Sequence, residues 1–138
     1  MGFMDSLKNA TSSFVKSVRH KKFKVKAGDL AEKWKVLRKY RPEIKVRRAN
    51  MDEWWEISNV YEGEKEVGLF RKSKVRRVFI EYIVRYEYDY EDEEEQGWFE
   101  YRKDSDLVKM EKDPKDDVEI RVTLANYEKM LEREGEII

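Results

Sequence analysis

The chain has 138 residues, 43% of them charged, with 30 Lys+Arg against 30 Asp+Glu and no cysteine. That length fits one domain, taken as residues 1–138; the lack of cysteine excludes disulfides and thiolate chemistry, and a lone His20 cannot build a histidine metal site. No apolar run approaches the ~18 residues of a membrane span, and the first residues lack the unbroken apolar stretch of a signal peptide, so a cytoplasmic protein is expected, or a virion component if the source is viral.

The zero net charge hides an asymmetry. Residues 1–50 hold 15 Lys/Arg and 4 Asp/Glu, whereas residues 51–138 hold 15 and 26. If folding preserves this division, one surface is basic and another acidic. Abundant Glu, Lys and Arg with a single glutamine is also a profile of thermophile proteins.

In chain order, Phe3, Leu7, Ala10, Phe14 and Val18 recur at helical spacing and predict an amphipathic helix within residues 1–20, able to dock on a partner. "FKVK" then alternates as a short strand. "GDLAEKWKVLRKYRP" predicts a second helix with Asp29 as N-cap, Glu32 as its capping-box partner, Leu30, Trp34 and Leu37 buried, and Pro42 as its stop. "EIKVRRA", "EWWEISNVYEG" and "VGLFRK" predict strands, the second ending at Gly63. "VRRVFIEYIVRYEYDY" is the strongest, with Val78, Ile80, Tyr82, Val84, Tyr86, Tyr88 and Tyr90 on one face. "EDEEEQG" predicts a solvated acidic turn, "WFEYRK" an antiparallel return, and "DSDLVKMEKDPKDD" a polar linker. "VEIRVTL" closes the strands, and "ANYEKMLERE" predicts a short helix ended by Gly135. The expected fold is α+β: a mainly antiparallel sheet of about five to seven strands with three helices packed on it.

No phosphate-cradling glycine loop, nucleophile elbow or HExxH pattern occurs, so no enzyme, cofactor or metal is expected. Trp54 and Trp55 are neighbours on a strand and point to opposite faces; both are buried only if both faces are covered, and otherwise one is a hot-spot candidate for a protein partner. Phe3, Leu7, Phe14, Trp54 and Trp55 are therefore the candidate protein-interface residues. Lys16, Arg19, Lys21, Lys22, Lys24, Lys26, Lys35, Arg38, Lys39, Arg47 and Arg48 form a basic set that would neutralise phosphates if it made one face. Zero net charge favours instead a surface of ion pairs.

"VEIRVTLANYEKMLEREGEII" resembles the strand and first helix of a ribbon-helix-helix DNA-binding domain. The resemblance implies that Glu119, Arg121 and Thr123 enter a major groove, and it is confined to the C-terminal end of the chain. Taken together, these features point to a non-enzymatic binding or assembly protein of a thermophile, a small accessory or structural component (virion-type if the source is viral) acting through contacts with itself or other subunits. The alternative is a nucleic-acid-binding module using the basic face of residues 16–48. Contact with a membrane surface is not expected.

Overall fold

The computed structural model describes residues 19–92 and 98–138, with side chains placed at 19–85 and 105–138. The helix expected over the first residues, with Phe3, Leu7, Phe14 and Lys16, lies outside the described residues, as do the acidic turn and the side chains of Tyr86, Tyr88 and Tyr90.

The described elements are β1 (His20–Lys26), α1 (Ala27–Leu37) with a 3-10 turn at Arg38–Tyr40, β2 (Glu43–Arg48), β3 (Met51–Val67), β4 (Ser73–Asp92), β5 (Trp98–Lys112), β6 (Asp117–Thr123) and α2 (Leu124–Glu134). The strands form one antiparallel six-stranded sheet in the order β1-β6-β2-β3-β4-β5. The fold is α+β, as the pattern of elements implies.

Alternation dictates which face the helices cover. Val118, Ile120 and Val122 of β6, Ile44 of β2, Ile57 and Val60 of β3, and Val78, Ile80, Tyr82 and Val84 of β4 are buried. Leu30, Trp34 and Leu37 of α1 and Met130 of α2 pack in the same cluster. Burying each such side chain contributes about 1.5–3 kcal/mol. The intervening residues of each strand point to the opposite, open face, which no helix crosses among the described residues.

Where α1 begins is decided from outside the helix. It starts at Ala27, so Asp29 lies in its first turn rather than at the cap, and Lys26 in the cap position makes no side-chain capping bond. The Ala27 and Gly28 N–H groups donate to the Asp116 and Pro114 carbonyls at 2.8 and 2.9 Å. These tertiary bonds satisfy donors that a capping side chain would otherwise take. At the far end, Arg41 in the left-handed region (φ 52°) turns the chain into Pro42.

Two segments depart from the sequence-based expectation. "VGLFRK" is no strand: β3 runs on to Val67, and residues 68–72 turn the chain into β4. Gly68 explains the stop, with φ 110° and its absent Cβ facing the Arg71 carbonyl. Most of the supposed linker belongs to β5, which pairs with β4 from Asp92↔Trp98 to Val78↔Lys112. Val108 and Met110 stand opposite Tyr82 and Ile80 and pack against the core; that contact holds a polar segment in the ladder. Only residues 113–116 remain to turn it into β6.

Thr123 caps α2, its hydroxyl accepting from the Asn126 N–H at 3.1 Å, and Gly135 (φ 72°) ends the helix with its N–H on the Leu131 carbonyl. No helix among the described residues is long and apolar enough to cross a membrane.

Candidate functional site: the open face around Trp54

The register puts His20, Lys22, Lys24 and Lys26 of β1 opposite Thr123, Arg121, Glu119 and Asp117 of β6. It also puts Glu43 beside Arg121, and Lys45 beside Trp54. All of these lie on the open face, with Trp54 at their centre. The Arg121 guanidinium stands 4.6 Å and the Lys22 ammonium 5.7 Å from the centroid of the Trp54 indole. Trp54 is thus only partly exposed, flanked by two cations rather than by an apolar wall.

Carboxylates interleave with these cations. Glu43 accepts from Arg121 Nε at 3.0 Å and approaches His20 Nε2 at 3.4 Å. Lys45 donates to Glu119 at 2.9 Å and lies 3.6 Å from Asp52. The Glu119 hydrogen bond, and then the Asp52 charge, hold the Lys45 ammonium above the ordinary lysine value. Lys26 pairs with Asp117 at 2.8 Å, and that bond holds the Asp117 carboxyl below the ordinary aspartate value.

Toward β4 and β5 the open face becomes apolar. Tyr61 and Phe79 stack with centroids 5.4 Å apart. Ile83 stands opposite Leu107, which is 61% exposed. Arg85 and Arg41 both reach Glu56, at 3.5 and 3.1 Å.

Pairing between β2 and β6 covers only Glu43↔Arg121 and Ile44↔Ile120. Beyond it the strands diverge and leave a cleft of about 580 Å³, floored by Ile44, Val46, Val118 and Met110. Met110 belongs to β5, four places from β6 in the sheet order, so its presence there means that the sheet curls enough to bring β5 toward β2 and β6.

The structure separates the candidate residues. Trp54 is on the open face, while Trp55 is on the helix face, half-buried against the core, its indole N–H donating to Glu53 at 2.9 Å. Of the basic set, Lys22, Lys24, Lys26 and Arg47 are on the open face. Lys21 is on the helix face, over the Tyr127 ring at 5.7 Å. Lys35, Arg38 and Lys39 are exposed on α1 and its 3-10 extension, and Arg48 lies 3.7 Å from Glu53. Arg19 precedes β1, its carbonyl accepting from the Leu124 N–H.

The expected division into a basic and an acidic surface is not observed among the described residues. Lys26, Lys39, Arg41, Lys45 and Arg48, from the basic part of the sequence, pair with Asp117, Glu134, Glu56, Glu119 and Glu53 from the acidic part. The antiparallel register interleaves the halves, bringing opposite charges side by side. The ribbon-helix-helix likeness fails for a related reason: a major groove admits a two-stranded ribbon, whereas β6 is paired on both edges inside a six-stranded sheet. There Glu119 and Arg121 are held by Lys45 and Glu43.

Sequence reasoning singled out Trp54 but missed Arg121 and Glu43 as its setting, and missed Ile83 and Leu107. Among the described residues no three His, Asp or Glu side chains converge as metal ligands. No protein-family model, curated protein or solved structure matches this chain.

Proposed function

We propose that this chain is a non-enzymatic binding and assembly protein that joins protein subunits through the open face of its sheet. The observation that carries the reading is an uncovered face on which Trp54, held by Arg121 and Lys22, continues into Tyr61, Phe79, Ile83 and Leu107. Aromatic residues and arginine, with an apolar centre and a polar margin, are the composition of protein contact surfaces. Balanced, interleaved charges suit that role better than phosphate binding, because each cation already held by a carboxylate releases fewer counterions. The thermophilic source, and a cytoplasmic or virion setting, belong to the same proposal; dense cross-strand ion pairs support the first.

One observation favours a second reading, a nucleic-acid-binding module: Lys22 and Arg47 have no carboxylate within salt-bridge distance among the described residues, and Trp54 offers a ring for base stacking.

The simplest partner is a second copy. Sedimentation velocity over a concentration series should show association of the wild type that Trp54→Ala and Leu107→Asp each weaken at least tenfold. A wild type that stays monomeric throughout, or variants that associate as well as it does, would contradict the reading.

A further inference from the structure

At the far end of β3 from Trp54, the β3–β4 turn displays the most exposed apolar side chains described: Leu69 is 93% and Phe70 101% exposed, beside Val67 at 40%. Isolated surface leucines are ordinary, but adjacent, fully exposed Leu and Phe at a hairpin tip mark a contact site. The tip is a built feature. Gly68 sits at φ 110°, where a Cβ would clash with the Arg71 carbonyl oxygen, so a turn this tight requires glycine there.

The charge that follows them in the turn is basic. Arg71 and Lys72 follow Phe70 directly and have no carboxylate within salt-bridge distance among the described residues, whereas Lys74, further down the strand, is 3.9 Å from Glu64. Across residues 64–74 there are four cations (Lys65, Arg71, Lys72, Lys74) and two carboxylates (Glu64, Glu66). Lys65 and Lys74 are paired, with Glu111 and Glu64, so the pattern is an apolar point followed by two cations, Arg71 and Lys72, that no carboxylate holds among the described residues, in contrast to the balanced open face.

We propose that this tip docks on an anionic lipid surface, with Leu69 and Phe70 entering between headgroups and Arg71 and Lys72 resting on the phosphates. Three features favour lipid over a protein pocket. The tip is convex, and a fluid bilayer needs no matching cavity. Leu69 and Phe70 touch nothing that fixes their rotamers, so a rigid pocket would have to immobilise them, whereas an acyl layer leaves them free. The two cations follow the apolar pair directly in the chain, near enough to meet headgroup phosphates when the pair is inserted. The proposal does not draw on the open-face reading.

The test is co-sedimentation of the full chain with vesicles of phosphatidylcholine, alone or mixed with phosphatidylglycerol, at low and high salt. Wild type should bind the mixed vesicles, release them as salt rises, and leave pure phosphatidylcholine in solution. Leu69→Ser with Phe70→Ser should weaken binding at least tenfold. Arg71→Gln with Lys72→Gln should weaken it about 30-fold, each cation near an anionic surface contributing a factor of about five. Both variants should melt with the wild type, because the altered side chains support no core contact. Failure to bind mixed vesicles, equal binding to uncharged ones, or undiminished binding by the serine variant would overturn the proposal. A Phe70-dependent association with protein in a chain that ignores vesicles would also overturn it and assign the tip to a protein partner.

Discussion

Arg121 of β6 reaches past β2 to lie 4.6 Å from the centre of the Trp54 indole on β3, while its Nε donates to Glu43 at 3.0 Å. One guanidinium thus ties three consecutive strands of the open face. Its planar fork serves both contacts at once, which a lysine ammonium cannot do. Arg121→Ala should lower stability by about 1–2 kcal/mol, the sum of a cation–π contact and a charge-assisted hydrogen bond at a partly buried site. Arg121→Lys should recover less than half of that. Urea midpoints at constant slope measure both, and Arg121→Lys equal to wild type would show that charge alone suffices.

The Tyr61–Phe79 stack depends on a missing side chain. A Cβ on Gly63 would meet the Phe79 ring at 2.8 Å. Gly63→Ala should push that ring aside, disturb the stack and cost about 1–3 kcal/mol as overpacking. A change in near-ultraviolet circular dichroism, with unchanged far-ultraviolet signal, would locate the effect at the aromatic pair. A neutral or stabilising Gly63→Ala would mean that Phe79 rotates away freely.

Much of the fold is legible because alternation survives in single strands: Val118, Ile120 and Val122, or Val78 through Val84, state their buried face directly. β5 was not legible, because Asp104 and Asp106 occupy the positions in line with Val108 and Met110, and only the register with β4 makes the strand continuous. The start of α1 was hidden for a similar reason, its partners being carbonyls in the turn between β5 and β6. The candidate site was half legible. Adjacent tryptophans must split between faces, so one outward ring was foreseeable. Its neighbours Lys22 and Arg121 come from strands far apart in the chain, and only the order β1-β6-β2-β3 brings them together. Charge layout was misleading for the same reason, since linear blocks of like charge say nothing about which strands pair.

Ion pairs set both flanks of the stability profile. The Lys26 hydrogen bond depresses the Asp117 carboxyl in the folded state, so its contribution is present above the unfolded value of about 3.9 and is lost as pH falls through the folded one. The Lys45 ammonium is raised, chiefly by its bond to Glu119, so its contribution is present below the unfolded value of about 10.4 and is lost as pH rises through the folded one. The Tyr40 phenol, raised by burial and then by Glu134, acts in the same alkaline direction. Tm should therefore be flat near neutrality and fall at both extremes. Asp117→Asn should flatten the acid flank and Lys45→Met the alkaline flank, each leaving the other unchanged. A variant that shifts the whole profile without altering its shape would contradict this assignment.

The central claim is that the open face around Trp54 meets protein rather than phosphate. Light scattering of the pure chain across a salt series, with and without duplex DNA, tests it most directly. The account predicts a mass that rises with protein concentration, is unaffected by DNA and changes little with salt. A monomer whose mass rises only when DNA is present, and falls back steeply as salt increases, would contradict it.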